Sequence, residues 1–248
     1  MPQRINVPES HPRAKSLYTR ELLVDGYRKG LVALEGLVAH GRGEAFDYLI
    51  GERTTVEAAN AIRAAAAMLL TSKHPVISVN GNVAALCPSQ VVRLAESTGS
   101  LIEVNLFYRT DEREQAIKAE LEIHGARNVL GVGPRASARI PELQSERRRV
   151  DPDGIGAADT VLVPLEDGDR TEALVKMGKK VLAIDLNPLS RTAQAAHITI
   201  VDNVVRAMPL LLDSVIALKS STGLQEIVDG FDNSGNLARS LAMIRGGM

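Results

Sequence analysis

The segment PVISVNGNVAALCPSQVVRLAESTGSLIEV, residues 75–104, contains the pattern from which the fold of this chain can be predicted. Two short and nearly continuous apolar runs, 75–79 and 101–104, flank a helical pattern over 89–96. Such runs are typical of parallel strands that helices cover on both faces. The same alternation predicts further strands at 128–130, 160–163, 181–184 and 197–201 and further helices at 112–124, 170–177 and 203–219. The sequence therefore predicts an α/β fold with a doubly wound, mostly parallel sheet of about six strands, whose ligands bind at the carboxyl ends of the strands.

The residues before this sheet, 1–72, are predicted to be helical. We expect a first helix to end at Gly30 and a second to follow the glycines of 40–43. The stretch 54–57, Thr-Thr-Val-Glu, matches a capping box, which predicts that an alanine-rich helix begins there. These helices are expected to pack on the sheet as a cap or to form an oligomer interface.

Two other regions lack a clear pattern. Residues 133–156 form a long connection with the arginine run 147–149, and such a run more often marks a solvated face than a site. Residues 220–248 contain several glycines, which indicates a loosely attached appendage. The expected division is thus an N-terminal helical segment at 1–72, an α/β core at 73–219 and a C-terminal appendage at 220–248.

The composition excludes several classes of protein. Of the 248 residues 45% are hydrophobic and 24% charged, which is typical of a globular chain and not of a disordered one. Because 29 basic residues balance 30 acidic ones, we expect no polymeric nucleic acid as a partner. No apolar run is long enough to cross a bilayer, so we expect no membrane partner either. The lone Cys87 and the lack of a secretory signal predict a cytoplasmic location.

Polar residues follow several predicted strands. Asn80 and Asn82 flank Gly81 after the first strand, where their amides and a helix start could seat an anion, although a simple Asn-Gly turn is an equal alternative. The acidic stretch 166–170 could hold Mg²⁺ or a ribose, or be only a solvated turn. Asp185 at the next strand end is placed like a ribose partner.

Basic residues could supply the matching positive charge. Arg191 and Thr192 follow Asp185 closely and could clamp phosphate oxygens through charge-assisted hydrogen bonds. Arg20 lies in the predicted N-terminal helices, and Arg42 lies between two glycines, which favours a close approach to a ligand.

Standard motifs give little support to other chemistries. The stretch GVGPRA at 131–136 imitates a dinucleotide-binding fingerprint, but Pro134 fits poorly in a tight phosphate turn. The sequence has no phosphate-binding P-loop, no nucleophile elbow and no paired-cysteine metal site.

Five blocks of the sequence together resemble the archaeal phosphopantothenate synthetases, which are 4-phosphopantoate:β-alanine ligases of coenzyme A biosynthesis. The blocks are 10–13, 36–49, 79–86, 103–110 and 185–192, and the resemblance covers about residues 4–215. It implies a homodimeric, Rossmann-like ligase. In that family ATP activates the carboxylate of 4-phosphopantoate, AMP and diphosphate are released, and the amine of β-alanine forms the amide.

The resemblance also implies site residues. It implies ATP contacts from Arg20, Arg42, Asp185, Leu186, Asn187, Arg191, Thr192, Asn203 and Val204. From the placement of Arg42 between two glycines and of Asn80 and Asn82 after the first strand, we also expect catalytic roles for these three residues. ATP is the expected nucleotide substrate, with Mg²⁺, and no protein metal site is predicted.

Two rival functions stay open at this point. The first is a non-catalytic nucleotide-binding module, and the second is an NAD-dependent oxidoreductase that would use the turn at 131–136. Taken without the resemblance, the residue types are suited to adenylation, because that reaction needs cations near phosphates and no protein nucleophile.

Overall fold

A computed structural model describes residues 7–246 except Glu9, Pro12, Glu142 and Glu166. In the described part the chain forms eight strands, which are β1 (Pro75–Val79), β2 (Leu101–Val104), β3 (Val129–Leu130), β4 (Ala138–Arg139), β5 (Arg149–Val150), β6 (Thr160–Pro164), β7 (Lys180–Ile184) and β8 (Ile198–Ile200). Six of them form one sheet in the order β3-β2-β1-β6-β7-β8, and every neighbouring pair is parallel. β4 and β5 form a separate antiparallel ladder. The predicted α/β fold is therefore confirmed.

Helices cover the sheet. They are α1 (Ala14–Arg28), α2 (Leu34–Leu49), α3 (Val56–Thr71), α4 (Gly81–Leu86), α5 (Pro88–Thr98), α6 (Asp111–Ile123), α7 (Gly168–Lys176), α8 (Arg191–Ala195), α9 (Val204–Leu218), α10 (Leu224–Asp229) and α11 (Asn233–Gly246). All five residues of β1 and of β6 are buried, which explains why these strands lack polar alternation. No helix of the described residues is long and apolar enough to cross a membrane.

The order of the strands fixes where a ligand can bind. Chain order runs outward from β1 through β2 to β3, then returns to β6 on the other side of β1 and continues to β8. The two halves thus diverge at the carboxyl ends of β1 and β6. In open parallel sheets this topological switch point leaves a crevice for ligands.

The second N-terminal helix differs from the prediction. Gly41 and Gly43 were expected to precede it, but α2 begins at Leu34 and contains both. Within a packed helix a glycine costs only about 1 kcal/mol relative to alanine, so tertiary contacts override it. The start of α3 also shifts by one residue, because Thr55 is the N-cap and its hydroxyl accepts from the Ala58 N–H. The capping box of 54–57 is therefore wrong in detail.

The C-terminal tail is not loosely attached, contrary to expectation. Asn233 donates to the carbonyls of Ala193 and Ala196 and accepts from the Thr199 N–H, and the buried Asn236 donates to the Thr199 carbonyl. These bonds fix α11 to β8. The division at residues 72 and 219 stays a prediction.

The arginine run 147–149 is not a solvated face either. Asn105, directly after β2, donates both side-chain N–H bonds to the carbonyls of Arg147 and Arg149, at 3.1 Å each. The Arg147 side chain is 9% exposed and lies 3.3 Å from the carboxylate of Asp167. Long-range contacts, which a local charge pattern cannot reveal, thus bury this residue.

Candidate active site

A cavity of about 660 Å³ opens at the topological switch point. The tips of β1, β2, β6, β7 and β8 form its floor, and one side of α2 forms a wall above them. Of the eleven predicted site residues ten line it, and these are Arg42, Asn80, Asn82, Asp185, Leu186, Asn187, Arg191, Thr192, Asn203 and Val204. The structure thus brings residues from distant parts of the sequence to one place.

Arg20 is the predicted site residue that the cavity wall does not include. It lies on α1, where its guanidinium is 3.1 Å from the carboxylate of Glu44. This hydrogen-bonded pairing raises the pKa of Arg20. Arg20 therefore ties α1 to α2, the helix that carries Arg42.

Arg42 points out of α2 without a hydrogen-bond or ion-pair partner among the described residues. It is close enough to Asp185 for its charge to lower the pKa of that carboxyl, although burial outweighs this and raises it overall. A guanidinium with its donors free beside a cavity is suited to binding an anion.

The tip of β7 is held in one shape by Asp185. One carboxylate oxygen accepts the Asn187 N–H at 2.9 Å, and the other accepts the Ser190 hydroxyl at 2.5 Å. Ser190 in turn caps α8 by accepting the Ala193 N–H. Leu186 is buried against Ile50, so only its backbone suits a polar ligand.

Arg191 and Thr192 differ in their surroundings. Arg191 is 64% exposed and makes two hydrogen bonds of 2.9 Å to Glu172. Thr192 is buried at the first turn of α8. A phosphate contact from Arg191 would require it to share or leave the Glu172 carboxylate.

A buried polar network joins α2 to the start of α9. Asp47 accepts hydrogen bonds from Asn203 and from Arg206, and Arg206 also pairs with the fully buried Asp202. Asp202 accepts from Thr54 as well, at 2.6 Å. This network holds α2 against the carboxyl edge of the sheet.

The loop after β1 is fixed by its asparagines. Asn80 caps α4 with its oxygen and donates both amide hydrogens to the carbonyls of Pro164 and Leu165, across the switch point. Asn82 donates to the Gly36 carbonyl of α2 at 2.9 Å. A side chain on Gly81 would lie 2.1 Å from the Leu31 carbonyl oxygen, so only glycine fits there. Asn80 thus shapes the site but has no amide hydrogen left for a ligand.

Several other wall residues were not among the predicted site residues, and they include four with aromatic or basic side chains. These four are Phe107, Tyr108, Arg113 and Arg147, which lie on the β2 side of the cavity. Arg113 donates to the carbonyls of Tyr108 and Leu31, and it has no ion-pair partner among the described residues. Burial lowers the pKa of Arg113 and lowers that of Arg147 to about 10, which leaves both charged at neutral pH. The sequence offered only their positions as an indication. Phe107, Tyr108 and Arg113 follow a predicted strand, and Arg147 lies in the connection without a clear pattern.

Comparison with known proteins gives a consistent result. The family model described as phosphopantothenate/pantothenate synthetase matches residues 57–247. The chain belongs to this family. It is 54% identical to the 4-phosphopantoate--beta-alanine ligase of Thermococcus kodakarensis, over 97% of this chain and 93% of the relative. Relatives with the same name in Thermococcus onnurineus and Methanosarcina mazei are 53% and 50% identical over a similar share.

Membership of the phosphopantothenate/pantothenate synthetase family confirms the resemblance found in the sequence. The match of the family model also extends through the tail, beyond residue 215, where the resemblance found in the sequence ended. The tail is therefore part of the family's common chain and not an addition to it.

In this family member the turn at 131–136 is not a dinucleotide site. It follows the edge strand β3, away from the switch point, and continues as one turn of 3₁₀-helix (Gly133–Arg135). The Gly133 N–H donates to Glu114, and the Gly131 carbonyl accepts from Arg109. These groups are occupied within the protein, so the turn offers no cradle for a diphosphate.

The structure describes the acidic stretch 166–170 only in part. Glu166 lies outside the described residues, Asp167 pairs with Arg147, and Asp169 accepts its neighbour's N–H. Within the described ranges, no three His, Cys, Asp or Glu side chains are grouped so that they could hold a metal ion.

Proposed function

We propose that this chain is a 4-phosphopantoate:β-alanine ligase that forms 4′-phosphopantothenate with ATP through an acyl-adenylate. The observation that carries the proposal is its 50–54% identity, over almost its whole length, to relatives of that name. The cavity supports the proposal, because several guanidinium groups line its walls. Each of the three substrates carries negative charge, on the phosphates of ATP, on 4-phosphopantoate and on the carboxylate of β-alanine.

The nucleotide is expected on the β7 and β8 side. Asp185, Asn187 and the buried Thr192 present oxygens and amides suited to a ribose and to phosphate oxygens. Arg42 approaches the same tip from α2. Its charge would stabilise negative charge that grows on the α-phosphate as the carboxylate of 4-phosphopantoate attacks it and diphosphate leaves.

The acid substrate is expected on the β1 and β2 side. Arg113 and Arg147 provide positive charge there, and Asn82 and Tyr108 add polar groups. A second anion-binding region of this kind would hold the phosphate of 4-phosphopantoate while its carboxylate faces the nucleotide. Catalysis then consists of positioning and electrostatic stabilisation, without a protein nucleophile.

Mg²⁺ would be carried chiefly by ATP. Such ions are usually held by one or two carboxylates and by the phosphates of the substrate. Asp167 and Asp185 are the carboxylates of the described floor, and each already has a protein partner. The ion would neutralise phosphate charge when bound.

A homodimer fits the exposed apolar residues of the N-terminal helices. Leu34 and Val38, one turn apart on α2, are 57% and 75% exposed, and Tyr18 and Leu22 of α1 are about half exposed. Large exposed apolar groups favour an interface. The native mass is expected to be twice the chain mass of 26.6 kDa.

The test is product formation from ATP, 4-phosphopantoate and β-alanine, with each component omitted in turn. AMP that forms only when both acids are present supports the ligase. ATP binding without turnover would support the nucleotide-binding module instead, and NAD binding the oxidoreductase. Arg93→Ala is a matched control for arginine variants of the site, because Arg93 is exposed on α5 and outside the cavity wall.

A further inference from the structure

His40 lies on the wall of the cavity formed by α2. Its neighbours on that wall are Gly36, Ala39 and Gly43, which have little or no side chain. The larger side chains that α2 places on the same wall are Glu35, Arg42 and Phe46. His40 has no role in the adenylation step proposed above.

The Nε2 atom of His40 is buried and has no hydrogen-bond partner among the described residues. Buried polar atoms in native proteins nearly always have a partner, so an exception calls for an explanation. The half-buried ring borders the cavity, but Nε2 itself is closed to a water-sized probe, so a bound substrate supplies the partner only when the ring turns toward the cavity.

The second half of the proposed reaction needs a base. β-Alanine carries an ammonium group with a pKa near that of lysine, about 10, so it is protonated at neutral pH and cannot attack a carbonyl. The carboxylates of the described wall are less suited. Asp185 accepts two hydrogen bonds, Asp167 is paired with Arg147, and Glu35 is exposed.

The surroundings of His40 keep it in the form that accepts a proton. Burial lowers its pKa, which leaves the ring neutral at pH 7. Glu44 and Asp47 on α2 favour the protonated ring, and Arg20 on α1 opposes it. The two carboxylates can thus stabilise the imidazolium once a proton arrives.

We propose that His40 is the general base that takes a proton from the ammonium group of β-alanine, which rests on the ligase function proposed above. The freed electron pair of the amine attacks the carbonyl carbon of the acyl-adenylate. The bond between that carbon and the adenylate oxygen breaks, and its electron pair leaves with AMP. The second proton of the attacking nitrogen passes to the released phosphate oxygen, and His40 returns its proton to water.

The test separates proton removal from the rest of catalysis by changing the nucleophile. Hydroxylamine is largely uncharged at neutral pH, so it attacks an acyl-adenylate without a base. Amide formation with β-alanine and hydroxamate formation with hydroxylamine are measured at pH 7 for the full-length protein, His40→Gln and His40→Asn. His124→Gln is the matched control, because His124 is exposed at the end of α6 and outside the cavity wall.

With β-alanine, both His40 variants should lose at least about 100-fold in rate, the usual contribution of a general base. With hydroxylamine they should lose less than about fivefold, and their β-alanine rates should rise with pH as the free amine accumulates. Equal losses with both nucleophiles, or full activity with β-alanine, would overturn the proposal. An unaltered protein that forms no AMP from ATP and 4-phosphopantoate with either nucleophile would overturn the ligase function itself, and the base with it.

Discussion

The attachment of α2 to the sheet can be tested by removing the carboxylate of Asp47. This side chain is 8% exposed, accepts from Asn203 at 2.8 Å and forms an ion pair with Arg206. α2 carries both Arg42 and His40, so its position decides whether they face the cavity. Asp47→Ala should therefore weaken both the fold and the activity.

The expected loss of stability depends on the contacts that Arg206 keeps after Asp47 is replaced. Removing one partner of a buried ion pair costs roughly 3–5 kcal/mol. Arg206 is 21% exposed and keeps its bond to Asp202, so its charge is not left without compensation. We expect a loss of about 2–3 kcal/mol, which in a domain of this size lowers Tm by about 4–12 °C.

Thermal unfolding and the KM for ATP are the two measurements. The matched control is Asp25→Ala, which removes an exposed pair with Arg28 and should cost less than about 1 kcal/mol. A Tm of Asp47→Ala within about 1 °C of the unaltered protein, or an unchanged KM for ATP, would refute the view that this network positions α2.

Three further changes probe the site, the nucleotide tip and the buried charge. Arg42→Ala should lower kcat/KM more than about tenfold, or 1.4 kcal/mol, with Tm nearly unchanged because Arg42 is exposed; full activity would remove it from the site. Asp185→Ala should raise the KM for ATP more than that for β-alanine, whereas equal effects would indicate a folding defect. Burial raises the pKa of Glu103 from its ordinary 4.5 to about 7, so its stabilising contribution is complete below about pH 4.5 and is lost as the pH rises to about 7. Glu103→Gln should flatten the decline in the free energy of unfolding over this range by up to about 1.4 kcal/mol per pH unit, and an unchanged slope in urea titrations would contradict this.

The sheet could be predicted because burial on both faces leaves a strong local pattern. Every one of its six strands was expected within one residue or so at each end, and the polar tips after them do meet in one cavity. The tip of β7 is the clearest case, since Asp185 to Thr192 follow a wholly apolar strand. The position of these residues needed only the rule that parallel strands end on the same edge.

The errors arose where contacts distant in the sequence decide the structure. Gly41 and Gly43 resemble helix breakers, yet they are inside α2, where the missing side chain of Gly43 leaves room beside the cavity. Arg147 lies in a run of arginines that predicts exposure, but Asn105 and Asp167 hold it at the floor. Local sequence propensity carries no information about distant contacts, so it could not predict the environment of the two glycines or of Arg147.

The route taken by oxygen tests the proposed adenylation most directly. 4-Phosphopantoate labelled with ¹⁸O in its carboxylate is converted with ATP and β-alanine, and the nucleotide products are analysed by mass spectrometry. Attack of the carboxylate on the α-phosphate predicts AMP that carries one ¹⁸O atom, with unlabelled diphosphate. Label in inorganic phosphate together with ADP, or unlabelled AMP, would contradict an acyl-adenylate formed in this cavity.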